Sequence, residues 1–214
     1  MENYILDTNL FFNMEAGLNM GKKTEEVVRK VTEIGKKLKK LKQAEFYMPP
    51  RTIDEFLSFF KEKNQPFIKE FISTLTIKSP DVGKFEFPAH VFYQLIEDVR
   101  QRNYRGLRAG EEEIQNAGRL MVGKKDLGKK DFEIQIGSQV KKFRERYRRA
   151  TRFGFLDSLA DLDLILLSKE QNGFLVSGDE GVIAWGNVFG VKSIPVSVWE
   201  KRIADLMSHS PHPG

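Results

Sequence analysis

Residues 154–168 form an apolar run that is interrupted by carboxylates, and this stretch limits the possible fold more than any other. Its leucine and isoleucine spacing predicts a largely buried helix. On such a helix Asp157 and Asp161 are i,i+4 neighbours with Cβ atoms about 6 Å apart, and Asp163 points to one flank. Like charges this close are unfavourable away from water, so we expect a cation between them. Clustered carboxylates select Mg²⁺ or Mn²⁺.

The composition favours a soluble cytoplasmic protein with one domain, or one domain with a large insertion, in its 214 residues. The chain has 35 lysines and arginines against 30 acidic residues, a net charge of +5, which favours an anionic partner. It has no cysteine, which excludes disulfides, thiolate metal sites and a cysteine nucleophile. No apolar run reaches the roughly 18 residues of a membrane span, so no membrane association is expected.

The first residues predict a strand that ends at an acid. Tyr4 to Leu6 is a short apolar run, Asp7 follows it, and a helix starts soon after. Thr8 or Asn9 can cap that helix as well as Asp7 can, which leaves Asp7 available for another role. A helix over residues 22–42 and a strand at 46–48 then complete a βαβ unit.

Glu55 has two possible roles in the sequence. The spacing of Thr52 and Glu55 is that of a capping box, which would open a helix over residues 56–63. Glu55 would alternatively be a further acid of the metal cluster. The capping role explains the residue adequately, and the sequence leaves both interpretations open.

Residues 88–152 show helical patterns without a strand. Three helices are predicted, with a break near Arg105 and Gly106, and their apolar stripes are too thin to be buried alone. Packing against the core or against another copy of the chain would cover them. The last helix, from residue 131 to 152, carries a basic face that we expect to contact phosphate groups. The predicted phosphate-binding residues, which would be RNA-binding residues if the anionic partner is RNA, are Lys141, Arg144, Arg148 and Arg152.

A strand over residues 174–177 leads to Asp179, which would bind a ligand or merely cap the next helix, 180–189. A strand at 191–196 and a helix at 198–207 follow. In a parallel sheet Asp7 and Asp179 lie at the same edge, and the acidic helix can reach it. Such carboxylates would hold one or two Mg²⁺ and support attack of metal-bound water on a phosphodiester.

Several of these motifs together resemble a known family. Leu6-Asp7-Thr8-Asn9, the late acidic helix and the strand that ends in Ser-Gly-Asp are similar to the PIN nuclease domain. Nearly the whole chain, including the segments 144–167 and 175–181, resembles the minimal protein-only ribonuclease P family, whose members are also called RNA ligase partner proteins. The resemblance implies an α/β, PIN-like three-layer fold with a central parallel sheet and a protruding helical insertion. The nuclease core would comprise residues 1–87 and 153–207, the insertion 88–152, and a flexible tail 208–214.

The resemblance also implies an activity, which is removal of the 5′ leader from precursor tRNA by a Mg²⁺-dependent endoribonuclease without an RNA subunit. It implies homo-oligomers that form through the helical insertion. The acids that match the family motif are Asp7, Asp157, Asp161 and Asp179 as catalytic metal ligands, with Asp163 as an adjacent ligand.

Two other functions stay open. A PIN ribonuclease for another RNA would share the acids, but toxin-like members of this kind are compact and lack an insertion of about 60 residues. A non-catalytic RNA-binding partner of a ligase or repair enzyme would have no reason to concentrate carboxylates where an anionic ligand binds.

Overall fold

A computed structural model places five strands side by side in one parallel sheet. The strands are β1 (Glu2–Leu6), β2 (Ala44–Met48), β3 (Thr76–Ile77), β4 (Phe174–Ser177) and β5 (Lys192–Pro195). Their order across the sheet is β3-β2-β1-β4-β5, so the chain extends the sheet on one side of β1 and then on the other. Ligands of open α/β sheets bind where the strand order reverses in this way, here between β1 and β4.

The structure describes residues 1–12, 21, 23–123, 127–152, 156 and 158–208. The chain divides into two compact units, Met1–Phe87 with Leu156–Gly214, and Pro88–Phe155. Over the described ranges, no helix combines the length and the apolar character that crossing a membrane would require. Of the predicted flexible tail 208–214, Ser208 belongs to the last helix, Val196–Ser208, and 209–214 lie outside the described residues.

Helices cover both faces of the sheet in the first unit. These helices are α1 (Asn9–Phe12), α2 (Thr24–Lys40), α3 (Pro50–Ser58), α4 (Pro66–Thr74), α7 (Leu159–Glu170), α8 (Glu180–Val188) and α9 (Val196–Ser208). Tyr4 and Leu6 alternate with Ile5 along β1 and enter a core cluster with residues of α2, α4 and α9. Ile5 and its β4 neighbour Leu175 are buried towards the other face, where α7 and α8 pack. This arrangement confirms the predicted three-layer α/β class.

Helix α3 begins before the predicted capping box, so that prediction is wrong. Its first residue is Pro50, Pro49 is the N-cap, and no side chain caps the helix. Proline suits the first helical position because its ring presets φ and its missing N–H would have no helical partner there. Thr52 and Glu55 are therefore interior helix residues, and Glu55 is not needed as a cap.

The second unit contains two long helices, α5 (Ala89–Met121) and α6 (Lys129–Arg152), that pack on each other. The predicted break at Arg105 and Gly106 is wrong, because α5 continues through both residues. A Cβ on Gly106 would lie 2.7 Å from Cε2 of Tyr147 on α6. This glycine therefore allows the two helices to approach each other and does not end a helix.

Candidate active site

The carboxyl ends of β1 and β4 bring Asp7, Ser177 and Asp179 together. Leu6 of β1 is opposite Val176 of β4, and the backbone N–H of Asp7 donates to the Val176 carbonyl at 3.1 Å. The Ser177 hydroxyl donates to Oδ2 of Asp7 at 2.5 Å and accepts the backbone N–H of Asp179 at 3.0 Å. One hydroxyl thus joins the two acidic turns at the point where the strand order reverses.

Asp7 is a buried acid, with 3% of its surface exposed. Besides Ser177, the backbone and side-chain N–H groups of Asn9 and the hydroxyl of Thr8 lie 3.3 Å from its carboxylate oxygens. Burial raises the pKa of the Asp7 carboxyl above its usual range, and these hydrogen bonds oppose the rise only in part. The donors that the structure describes are all neutral, so a nearby cation would strongly favour the ionised form.

Glu55 of α3 is close enough to Asp7 for the two carboxylates to repel each other. Burial raises the pKa of Glu55, the charge of Asp7 raises it further, and a hydrogen bond from the Thr8 side chain opposes both. The Thr8 hydroxyl is also 3.3 Å from Oδ1 of Asp7. Because a hydroxyl carries one proton, it can donate to only one of the two carboxylates at a time. The acidic pair therefore retains a repulsion that a cation would relieve.

Helix α7 begins later than the sequence predicts. Ser158 is its N-cap and accepts the backbone N–H of Asp161 at 3.0 Å, because a serine hydroxyl satisfies the exposed N–H groups of a first turn. Asp161 lies in that first turn, where the helix dipole favours a negative charge. Asp157 precedes the cap and lies outside the described residues. The predicted i,i+4 relation of Asp157 to Asp161 therefore stays a prediction.

Asp163 is buried and has a cation of its own. Its Oδ2 accepts a hydrogen bond from Nη1 of Arg51 at 2.6 Å. This bond joins Asp163 on α7 to the start of α3. The Asp163 side chain is 8% exposed and that of Arg51 is 57% exposed. This ion pair already supplies the Asp163 carboxylate with a positive charge from the protein, and it has no signal in the sequence.

Asp179 caps α8, as the alternative interpretation of the sequence allowed. Its Oδ1 accepts the backbone N–H groups of Gly181 at 2.7 Å and Val182 at 3.1 Å. Both bonds use Oδ1, and the side chain lies at an exposed position. Capping fixes the orientation of the carboxylate and leaves Oδ2 for a ligand, so the two roles are compatible.

The donor set of this edge fits a hard divalent cation, since carboxylate oxygens are the ligands that Mg²⁺ and Mn²⁺ prefer. The raised pKa values of Asp7 and Glu55 also indicate a site that lacks positive charge. Within the described ranges, no three acidic, histidine or cysteine side chains converge closely enough to define an ion position. Asp157, a predicted ligand, is not within those ranges.

The predicted RNA-binding residues of α6 lie at the surface of the second unit. Lys141, Arg144, Arg148 and Arg152 are all exposed. The apolar side of α6 faces α5, where Val140 and Phe143 line a cavity between the two helices. Arg146 is engaged differently, because it pairs with Glu112 and Glu113 of α5. The helix therefore separates an apolar side from a basic surface, as its pattern predicts.

Sequence reasoning missed two residues that shape the site. The Ser177 hydroxyl connects Asp7 to the Asp179 turn, and its place directly after an apolar strand and before Gly-Asp was a usable signal. Arg51 had no local signal, because its partner Asp163 is 112 residues away in the chain. Glu55, which the sequence left open, is brought beside Asp7.

Comparison with known proteins gives consistent matches. The family model described as PINc domain ribonuclease matches residues 3–208. The chain is similar to the RNA-free ribonuclease P of Thermodesulfovibrio yellowstonii, with 37% identity over 89% of this chain and 87% of the relative. It is 33% identical to the RNA-free ribonuclease P of Thermococcus kodakarensis over 95% of both chains. The protein of the same name from Pyrococcus horikoshii is 33% identical over 97% of this chain and 94% of its own.

Proposed function

Because the chain belongs to the RNA-free ribonuclease P family of PINc-domain ribonucleases, we propose that it removes the 5′ leader from precursor tRNA. The observation that carries the proposal is the pair of acids, Asp7 and Glu55, at the reversal point of the sheet. A protein that only bound RNA would gain nothing from two mutually repelling carboxylates there, one of them buried, because they also repel phosphate. The relatives are named RNA-free ribonuclease P, and we propose that this protein also acts without an RNA subunit.

The acids of this edge would hold Mg²⁺, or Mn²⁺ in its place. When bound, the ion would supply a Lewis acid for a phosphoryl oxygen and would lower the pKa of a water molecule. Ser177 fixes the Asp7 carboxylate, and the α8 cap fixes that of Asp179, so both are preorganised. The Ser177 hydroxyl donates to Asp7 and accepts the backbone N–H of Asp179, so it is not free to attack the substrate. Water would therefore be the nucleophile. The proposed ligands are Asp7, Glu55, Asp157, Asp161 and Asp179.

Cleavage of a leader-bearing tRNA precursor tests this function. The purified protein, incubated with the precursor in Mg²⁺, should release one leader and a tRNA with its mature 5′ end. The same reaction in EDTA should leave the precursor intact. Binding without cleavage in Mg²⁺ would instead favour the RNA-binding partner of a ligase or repair enzyme. Cleavage at many positions would favour a PIN ribonuclease with a different RNA substrate.

We further propose that the exposed basic residues of α6, Lys141, Arg144, Arg148 and Arg152, contact tRNA phosphates. Arg144→Ala and Arg148→Ala should each weaken precursor binding by roughly 1–3 kcal/mol, the range for charge-assisted hydrogen bonds. Each lost contact should also flatten the log–log salt dependence of binding by about 0.7–0.9. Filter binding over a salt series measures both, with Lys201→Ala on α9 as an exposed control cation. Wild-type affinity and slope in both variants would exclude these contacts.

The helical insertion would mediate formation of homo-oligomers. On α5, Phe92 is 54% exposed and Leu95 is 39% exposed, which is unusual for large apolar side chains that form a stripe. Phe92→Glu or Leu95→Glu should therefore shift the protein to smaller species in light scattering. Val198→Glu, at a 49% exposed position of α9, is the matched control. An unchanged mass for folded Phe92→Glu and Leu95→Glu would count against this interface.

A further inference from the structure

The ion pair between Arg51 and Asp163 gives the acidic site an arginine that is oriented but largely exposed. Nη1 of Arg51 donates to Oδ2 of Asp163 at 2.6 Å. Asp163 is almost enclosed, whereas the Arg51 side chain is 57% exposed. The buried carboxylate therefore holds one edge of the guanidinium, while more than half of the Arg51 side chain stays exposed to solvent.

A guanidinium has five N–H donors in a rigid, planar arrangement that matches the oxygens of a phosphate. The contact with Asp163 uses Nη1, and the structure gives Arg51 no second acidic partner among the residues it describes. Several donors are thus available on the exposed side. Because one edge is fixed, little conformational freedom remains to be lost when the other edge binds an anion.

Arg51 also lies next to the carboxylates. Arg51 and Glu55 are four residues apart on α3, so they are neighbours on one face of the helix. Glu55 interacts with Asp7 and accepts a hydrogen bond from Thr8. Asp163 lies on α7, two residues after Asp161. Arg51 therefore connects α3, one turn before Glu55, to α7, two residues after Asp161.

We propose that Arg51 binds a phosphate oxygen of the RNA strand at the cleavage site and that Asp163 is the positioning residue for Arg51. The proposal rests on the proposed ribonuclease function and adds a residue to it. An RNA strand that enters a cluster of carboxylates needs positive charge beyond that of a bound cation, and Arg51 supplies it from the protein. It also gives the third carboxylate of the acidic stretch a role that differs from metal binding.

A purely structural role explains the pair less well. An ion pair whose cation is mostly in water contributes little to stability, typically below about 1 kcal/mol. A buried ion pair kept only for stability could often be replaced, as a pair, by well-packed apolar residues without loss. The observed combination of an enclosed acid and an exposed arginine is better suited to holding the arginine for a ligand.

Binding measured in an Asp7→Asn background tests the proposal without cleavage. Adding Arg51→Ala should weaken precursor binding about ten- to hundredfold and flatten the log–log salt slope by about 0.7–0.9. Arg51→Lys, which keeps the charge but loses the planar group, should recover the salt slope and only part of the affinity. Single neutral methylphosphonates can replace the phosphates around the cleavage site one at a time. At one position the replacement should weaken binding to the Asp7→Asn protein. At that same position it should not weaken binding further once Arg51→Ala is added.

Asp163→Asn separates positioning from metal binding. If Asp163 only orients Arg51, the variant should slow cleavage less than Arg51→Ala does, and it should need the same Mg²⁺ concentration for half-maximal rate as the wild type. A raised Mg²⁺ requirement would mean that Asp163 is a metal ligand, and it would overturn its assignment as the positioning residue. Arg29→Ala, which removes an exposed arginine paired with Glu25 on α2, is the control and should behave as the wild type.

A double variant covers the case of unfolding, and two further outcomes separate the role of Arg51 from the proposed function. If Arg51→Ala unfolds because Asp163 is left unpaired, the double variant Arg51→Gln with Asp163→Asn removes both charges and should still show the lost salt slope. If the wild type cleaves the precursor but both Arg51 variants keep wild-type affinity and slope, Arg51 does not contact phosphate. A wild-type protein that neither binds nor cleaves the precursor would instead contradict the ribonuclease function itself.

Discussion

Replacing Asp7 by asparagine should reduce precursor cleavage roughly 100- to 1000-fold while the protein stays folded. Asparagine has nearly the same shape, and its amide oxygen can still accept the Ser177 hydroxyl, so the hydrogen bond between β1 and β4 can persist. The change removes a negative charge from the proposed ion site. A catalytic metal contributes several kcal/mol, and about 1.4 kcal/mol corresponds to a tenfold change in rate. Single-turnover cleavage at saturating precursor concentration measures the loss.

Asp157→Asn and Asp161→Asn should act in the same direction as Asp7→Asn. Glu70→Gln is the matched control, since Glu70 is an exposed acid on α4 that pairs with Lys36. It should cleave as the wild type does. Near-wild-type cleavage by Asp157→Asn would remove the acidic stretch at residues 154–168 from the catalytic assignment and leave Asp7, Glu55 and Asp179 as candidates.

Glu55→Gln should tell whether the acid that the sequence left open belongs to the site. If Glu55 shares a cation with Asp7, its neutral variant should slow cleavage and raise the Mg²⁺ concentration that gives half the maximal rate. Weakened metal binding commonly appears in this way when one carboxylate of a site is lost. A variant with unchanged Mg²⁺ requirement would restrict the site to the aspartates.

The central sheet could be predicted because its strands are short apolar runs with clear ends. Asp7 follows Leu6, and Asp179 follows Ser177 after one glycine, so parallel pairing alone places both acids at one edge. Strand β3 escaped prediction because it has only two residues, Thr76 and Ile77, too few for a periodic pattern. Its formation depends on pairing with β2, which is a tertiary contact.

Errors in the predicted helices arose where a residue type had two physical uses. Gly106 resembles a helix terminator, but its missing side chain makes room for Tyr147. Thr52 and Glu55 have the spacing of a capping box, but the two prolines before them already start α3. In each case the deciding interaction is with a residue or turn outside the local pattern.

The Arg51–Asp163 pair is a further interaction that the local sequence pattern could not predict. The acidic stretch predicts a set of carboxylates, and spacing alone cannot say which of them meets a cation of the protein. Asp163 meets one because α3 and α7 pack against each other in the first unit. Charges that belong to one motif in the sequence can therefore have different partners in the fold.

The stability of the metal-free protein should fall as pH rises, and Mg²⁺ should reverse that fall. The folded state raises the pKa of both Asp7 and Glu55. For an acid whose pKa is raised by folding, the stabilising contribution is complete below the unfolded pKa, about 4. It is lost as pH rises through the higher folded value, because the folded protein then holds two ionised carboxylates close together.

Mg²⁺ binds the ionised carboxylates, so its stabilisation should grow over the same pH range in which the metal-free protein weakens. At a concentration of 100 times its dissociation constant, it should add about 2.7 kcal/mol to the free energy of unfolding. In Asp7→Asn, both the fall in stability with rising pH and the stabilisation by Mg²⁺ should be smaller than in the wild type. Without metal, this variant should be at least as stable as the wild type near neutral pH. Urea unfolding between about pH 4.5 and pH 8, in EDTA and in Mg²⁺, measures these differences. Equal stabilisation of the wild type and Asp7→Asn by Mg²⁺ at every pH would mean that the ion binds elsewhere, and the site at the ends of β1 and β4 would lose its proposed cofactor.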